Sequence, residues 1–213
     1  MYLQIECFMT QQKPNTIESI RELFNSPAAD LSGNILDALQ GIPFGGIVVS
    51  AYRTGISISD FLLFKKFASF LNPMNGKENE INVYLGRLSP IKQRKLGEYL
   101  LSLLLKSDSE EKARIMGFVF KAAVKKHITH EMMLRLVSIV ERSFVADLKT
   151  LPIYKTDCEF FTTATNELIN LGLIDNEIGG FWKNQPTVHL NEVGKCLLNI
   201  LSDERWFDET VAF

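Results

Sequence analysis

The strongest constraint on the fold is a series of helix start signals within residues 57–150, each followed by an amphipathic stretch of helical period. Ser89-Pro90 predicts the start of a helix over residues 91–106, Ser109 of a helix over 112–126, and Thr129 of a helix over 130–149. Strand-like alternation is almost absent from this region. The sequence therefore predicts a mainly α fold in which short connections pack the helices as a bundle.

Further helices are expected around this series. Ser57 or Ser59 can cap an amphipathic helix that ends at Leu71, and residues 77–88 are a weaker helix candidate. Closer to the N-terminus, Pro14 predicts the opening of a first helix, and residues 34–40 form a second short segment. The helical bundle is accordingly expected to span residues 1–150.

The pattern changes after Leu151-Pro152, and residues 151–213 are expected to form a separate tail. A helix is predicted over 157–171, ending at Gly172, followed by two short β-prone segments and a last helix to Leu201. The two β-prone segments are separated by a polar Gly-Gly turn, which favours a hairpin. The predicted tail is thus a small α+β unit with a β-hairpin.

The tail sequence resembles the second half of a winged-helix domain. Residues 168–174 (LINLGLI) match a helix that ends in L-x-x-x-G-L-I, and residues 188–195 (VHLNEVGK) match the step from the wing into the final helix. Asn191 stands where the family usually has a threonine cap, and both residues can cap a helix. The resemblance implies a winged-helix-like C-terminal subdomain.

A second resemblance covers residues 42–71, which are similar to a group of uncharacterised bacterial helical proteins with winged-helix-like tails. Some of these proteins are found in mobile-element or phage-defence contexts of the abortive-infection kind. The resemblance implies a bacterial cytoplasmic setting. It has no catalytic motif that could be transferred to this chain.

Charge is distributed unevenly along the chain, whose formal net charge is −2. Residues 51–150 contain 17 basic and 10 acidic side chains, whereas residues 151–213 contain 4 and 10. The basic bundle could attract a nucleic acid or another anionic partner, although lysines are also ordinary on the solvated faces of amphipathic helices. The candidate contacts are Lys65, Lys66, Lys92, Arg94, Lys95, Lys121, Lys125 and Lys126.

No motif in the sequence points to enzyme chemistry. The three cysteines are far apart, and neither phosphate-binding glycine pattern, GxGxxG or GxxxxGK[ST], occurs. The string from His127 to Glu131 has the order HxxHE, which matches no zinc-protease motif, and Thr129 starts a new helix between the histidines. We therefore predict no catalytic residue, no metal site and no cofactor.

Aromatic residues suggest where a protein partner or a second copy of the chain would bind. Phe181 and Trp182 fall in the predicted wing, and Trp206 and Phe207 follow the last helix. If exposed, these side chains would form a contact site; the alternative is that they pack back on the bundle.

The leading hypothesis is a non-enzymatic interaction or regulatory protein that forms homo-oligomers or binds a protein partner. The acidic tail disfavours DNA binding, because the helix at residues 162–170 lacks lysine and arginine. A winged-helix DNA-binding regulator is the first alternative. The second is a membrane-associating effector acting through residues 41–71.

The longest apolar run, residues 42–52, is too short to span a bilayer, and the N-terminus does not resemble a signal peptide, which favours the cytoplasm.

Overall fold

The computed structural model of the chain describes residues 58–159, 162–177 and 187–208. The helices predicted before Ser57 and the aromatic pair Phe181 and Trp182 lie outside these ranges. In the described ranges the elements are, in order, α1 (Ile58–Leu71), a 3₁₀ turn (Asn72–Met74), α2 (Glu78–Gly86), α3 (Pro90–Lys106), α4 (Glu110–Val124), α5 (His130–Arg142), α6 (Val145–Leu148), a 3₁₀ helix (Leu151–Lys155), α7 (Thr163–Asn170), β1 (Ile174–Glu177), β2 (Thr187–Leu190) and α8 (Glu192–Asp203).

Capping side chains start the three central helices where the sequence predicts. The hydroxyl of Ser89 accepts a hydrogen bond from the backbone N–H of Lys92, and that of Ser109 accepts one from Lys112. Thr129 does the same for α5, with 3.1 Å between its hydroxyl oxygen and the backbone nitrogen of Met132. Each cap satisfies one of the N–H groups that a helix start leaves without a partner.

Two predicted helices are shorter in the structure. α5 ends at Arg142 and not at residue 149, because the backbone turns extended at Ser143, whose hydroxyl donates to the Val140 carbonyl over 2.9 Å. The helix predicted over 157–171 begins only at Thr163. Its start is fixed by a capping box between Thr162 and Thr165, whereas Cys158 pairs antiparallel with Val188.

The two strands form an antiparallel sheet in which Ile174 lies opposite Leu190. Gly172, with φ of 71°, ends α7 in a left-handed turn, and the N–H of Leu173 donates back to the Leu168 carbonyl over 3.0 Å. The side chain of Asn191 then caps α8. A mainly helical fold with a small two-stranded sheet near the C-terminus is therefore confirmed.

The main helices of the bundle run in two opposite directions. Lys112 at the start of α4 reaches the Glu141 carbonyl at the end of α5, so these helices are antiparallel. α1 lies along α4 in the same direction, and Phe70 is so close that a Cβ atom on Gly117 would lie 2.2 Å from its carbonyl oxygen. α3 runs parallel to α5, where the Tyr99 hydroxyl donates to the Leu134 carbonyl. α3 and α5 therefore begin at the end of the bundle where α4 ends.

The hydrophobic core is continuous from the bundle into the tail. Leu197 and Leu201 of α8 and Trp206 after it belong to the same buried cluster as the bundle leucines and phenylalanines. Lys121 of α4 and Glu204 after α8 form an ion pair of 2.7 Å across this contact. The predicted domain boundary at residue 150 stays a prediction. Buried side chains from both sides of this boundary belong to one hydrophobic core.

Candidate contact surfaces at the two ends of the bundle

The first candidate surface is the end of the bundle at which α3 and α5 begin and α4 ends, which we name the basic end. The turn between α2 and α3, the first two turns of α3 and the end of α4 all bring cations to it. All six side chains are exposed: Arg87, Lys92, Arg94, Lys95, Lys125 and Lys126.

Few acidic groups neutralise the basic end. Arg94 pairs with Glu98 at 3.5 Å, and both side chains are exposed. The pKa of Glu131 is lowered, first by a hydrogen bond from its own backbone, then by the Thr129 side chain, with smaller contributions from the nearby His130 and Lys92. The other four cations, Arg87, Lys95, Lys125 and Lys126, form no ion pair with any residue in the described ranges.

The end of α4 holds Lys126 in an uncommon backbone conformation. Its φ is 62°, and its N–H donates to the Ala123 carbonyl while that of His127 donates to the Ala122 carbonyl. This is the helix-ending motif in which glycine is usual, because a left-handed conformation costs a residue with a Cβ atom about 1–2 kcal/mol. The chain thus presents a lysine side chain at a position that glycine would fill at lower cost.

A partly buried hydrogen bond lies beside the basic end. The Tyr84 hydroxyl lies 2.7 Å from Nδ1 of His130. Burial, with a smaller contribution from Glu131, raises the pKa of Tyr84 to about 12, so the phenol keeps its proton at neutral pH.

His127 is exposed and lies before the Thr129 cap. Among the described residues, no group of three or more His, Cys, Asp or Glu side chains could hold a metal ion.

The second candidate surface is the opposite end, at which α4 begins and α3 and α5 end; we name it the neutral end. Here four lysines bind acceptors of the chain itself. Lys112 pairs with Asp108 at 2.9 Å, Lys149 with Glu111 at 3.7 Å and Lys65 with Glu110 at 3.8 Å, while Lys66 donates to the Ser107 carbonyl. Lys65 and Lys66 are therefore not part of the basic end, although their sequence neighbourhood suggested a contact for anions.

The neutral end also exposes large apolar side chains. Phe144 is 66% exposed and Leu105 is 57% exposed. The ammonium of Lys112, whose side chain is only 7% exposed, lies 5.9 Å from the centre of the Phe144 ring. Sequence reasoning missed both apolar residues. For Phe144 the reason is that the helix predicted over 130–149 continued past Ser143, where the structure ends α5 and places Phe144 at this end.

Lys121, in the last turn of α4, faces the tail. Besides its ion pair with Glu204, it borders a cavity of about 260 Å³ between α4 and α8, which Lys125, His127 and Cys196 also line. Burial raises the pKa of the Cys196 thiol, which disfavours the thiolate form.

The aromatic pair after α8 is packed inward. Trp206 is fully buried, and the ring centre of Phe207 lies 5.0 Å from that of Trp206 in an edge-to-face arrangement. Trp206 is therefore not an exposed contact residue: of the two alternatives stated for it, the structure shows packing back on the bundle, where its indole completes the core between the bundle and the tail. Phe207 is half-buried against that core.

Comparisons give no further guide to function. Among the helices of residues 58–208 that the structure describes, none is both long enough and apolar enough to cross a bilayer. No protein-family model, no curated protein and no solved structure matches the chain.

Proposed function

We propose that this chain is a non-enzymatic bacterial interaction or regulatory protein that acts through protein contacts, as a component of phage defence or of a mobile element. The resemblance of residues 42–71 supports the biological setting. The single observation that supports a protein contact is the exposure of Phe144, whose side chain is 66% exposed at the neutral end. Among the phenylalanines with described side chains, Phe67, Phe70, Phe118 and Phe120 are buried, and Phe207 is half-buried.

The neutral end suits protein association for two reasons. Aromatic residues are enriched in the centres of protein interfaces, whereas unpaired charges are depleted there. Four lysines of this end already have partners within the chain, which lowers the repulsion that a second copy would meet, although Lys106 at the end of α3 is exposed and forms no ion pair with a described residue. We infer that the partner at this surface is a second copy of the chain, joined through Phe144 and Leu105.

The test is the mass of the full chain in solution over a range of concentrations, measured by light scattering. The double change Phe144→Ala and Leu105→Ala is expected to weaken association by at least tenfold, since two exposed anchors are removed. Val83→Ala is the matched control, because Val83 is equally exposed but lies on α2. A wild-type chain that stays monomeric at every concentration would contradict self-association.

A winged-helix DNA-binding regulator is the second candidate, and the order of elements in the tail favours it. α7, the Gly172 turn, the β1–β2 hairpin and the Asn191-capped α8 follow one another as in such domains. The exposed residues of α7 that could face DNA, however, include no cation; they are Thr163, Asn166, Glu167 and Asn170. Thr165 is buried and bonded to the Tyr154 hydroxyl.

This candidate predicts sequence-specific duplex binding that is lost when Asn166 and Asn170 are changed to alanine. Binding that is unaffected by both changes would exclude α7 as the reading helix.

The membrane proposal concerns residues 41–71, of which the structure describes 58–71. Phe67 and Phe70 of α1 are buried in the bundle core, so these two side chains are not available to a lipid surface. Flotation with anionic vesicles is the direct test. Failure of the full chain to float would remove the proposal.

A further inference from the structure

We propose that the basic end binds the phosphate backbone of nucleic acid without reading base sequence. This inference goes beyond the proposed protein contact and uses a different surface, at the opposite end of the bundle. It also differs from the winged-helix candidate, because it assigns nucleic-acid binding to the bundle and not to α7.

The first argument is the excess of positive charge. Six exposed cations share this end, and the carboxylates near them, among the described residues, are Glu98, Glu131 and, at the cavity that Lys125 lines, Asp203 and Glu204. Four of the six cations have no ion pair with a described residue, so contact with a phosphate would not break any pair that the described part of the structure contains. Cations of this kind release counterions when they meet a polyanion, which supplies most of the affinity for a nucleic-acid backbone.

The second argument is the direction of the helices. α3 and α5 both begin at the basic end, and their N-termini add partial positive charge to it. The first turn of α3 contains no acidic residue and instead carries Lys92. A cation there is repelled by the helix dipole, and an anion bound at the same place relieves that repulsion.

The residue types favour a phosphate backbone over an acidic protein. Four of the six cations are lysines, which act as compact charges on flexible stems and are depleted in protein interfaces. Base reading would need an amide or a guanidinium held in a fixed geometry. The side-chain amide of Gln93, the amide residue of α3, already donates to the carbonyls of Leu85 and Leu88, over 3.0 Å each. Of the two guanidiniums, that of Arg94 pairs with Glu98 at 3.5 Å, and that of Arg87 has no contact with a described residue that would fix its geometry. The surface is thus equipped to contact a backbone and not to specify bases.

The tail limits where a nucleic acid can lie. Its described surface carries exposed acidic residues on several elements, among them Glu167 and Asp175, and these repel phosphate. Asp203 and Glu204 lie at the cavity beside Lys121, so the side of α4 that faces α8 is partly neutralised. Docking is therefore confined to the end of the bundle.

The test is fluorescence anisotropy of labelled mixed-sequence duplex DNA, single-stranded DNA and hairpin RNA with the full chain. With about four phosphate contacts, the affinity for the duplex should fall about a hundredfold between about 50 and 200 mM salt, and it should not depend on base sequence. The double variant Lys95→Gln and Lys125→Gln should bind at least tenfold more weakly, with a salt slope reduced by about two.

The matched control is Lys106→Gln with Lys155→Gln, which removes the same charge from exposed positions outside the basic end. Its affinity should differ by less than about threefold from that of the wild-type chain. An equal loss in both variants, or no binding at about 50 mM salt, would overturn the proposal. Equally tight binding of labelled polyglutamate would overturn the assignment to phosphate and indicate an acidic protein partner. Phe144→Ala should leave all these affinities unchanged, which separates this test from that of self-association.

Discussion

The two ends of the bundle use the same residue type in opposite ways. At the neutral end, Lys112 is buried and bonded to Asp108 and to the Glu141 carbonyl, so its charge holds α4 to α5. At the basic end, Lys95 and Lys125 are exposed and form no ion pair with described residues. The comparison shows that six exposed cations of residues 51–150 gather at the basic end, where four of them form no ion pair with a described residue. Other exposed cations lie elsewhere on the bundle, among them Lys106, Arg135 and Arg142.

The largest effect is expected from a substitution that separates α1 from α4, because α1 supplies Lys65 and Lys66 to the neutral end. Gly117→Ala would place a Cβ atom 2.2 Å from the Phe70 carbonyl oxygen, so the two helices must separate. We expect the free energy of unfolding to fall by about 3 kcal/mol, measured by urea denaturation. Gly86→Ala is the control, since a Cβ atom there meets nothing within 4 Å. Equal stability of the two variants would refute the close α1–α4 contact.

Identical substitutions at the two ends test the comparison more directly. Lys112→Met keeps the buried stem but leaves the Glu141 carbonyl without its donor, and we expect a loss of about 1–2 kcal/mol of unfolding free energy. Lys125→Met removes an exposed, unpaired charge, and we expect a change within about 0.5 kcal/mol. Chemical denaturation of both variants at one pH measures the difference. Similar losses at the two positions would mean that the ends are not distinguished by the use of their lysines.

The smallest expected effect concerns Lys126 and its left-handed conformation. Lys126→Gly relieves the steric cost of a φ of 62° and should raise the unfolding free energy by about 0.5–1 kcal/mol, while weakening nucleic-acid binding. Arg205→Gly is the matched control, because Arg205 has a φ of 53° after α8. It should stabilise the chain similarly and leave binding unchanged. A stability gain at Arg205 alone would show that Lys126 is not strained.

Local chemistry explains which parts of the fold could be predicted from the sequence. Ser89, Ser109 and Thr129 cap their helices through side-chain contacts only three residues away, so the helix starts are visible in the sequence. The end of α5 at Ser143 and the late start of α7 depend on contacts made in space. Cys158 is drawn into an extended pairing with Val188, which lies 30 residues further along the chain, and no local pattern records that partner.

The candidate surfaces were predictable only in part. The lysines and Arg94 of the basic end were identified from the charge of the segment, but Arg87 was not, although it lies only five residues before Lys92 in the sequence. Lys65, Lys66 and Lys121 looked equivalent to those cations in the sequence, and the structure separates them through the acceptors that each one meets. Whether a cation is free depends on contacts between distant segments.

The ion pair between Lys121 and Glu204 also bears on the order in which the chain folds. α4 and α5 are joined by a short turn, so their contacts are local and cost little loop entropy, whereas this ion pair joins residues 83 positions apart. We expect the α4–α5 pair to form early and the docking of α8 to come late. During synthesis the basic end would then be exposed to the ribosome and its RNA before the acidic tail has folded against the bundle.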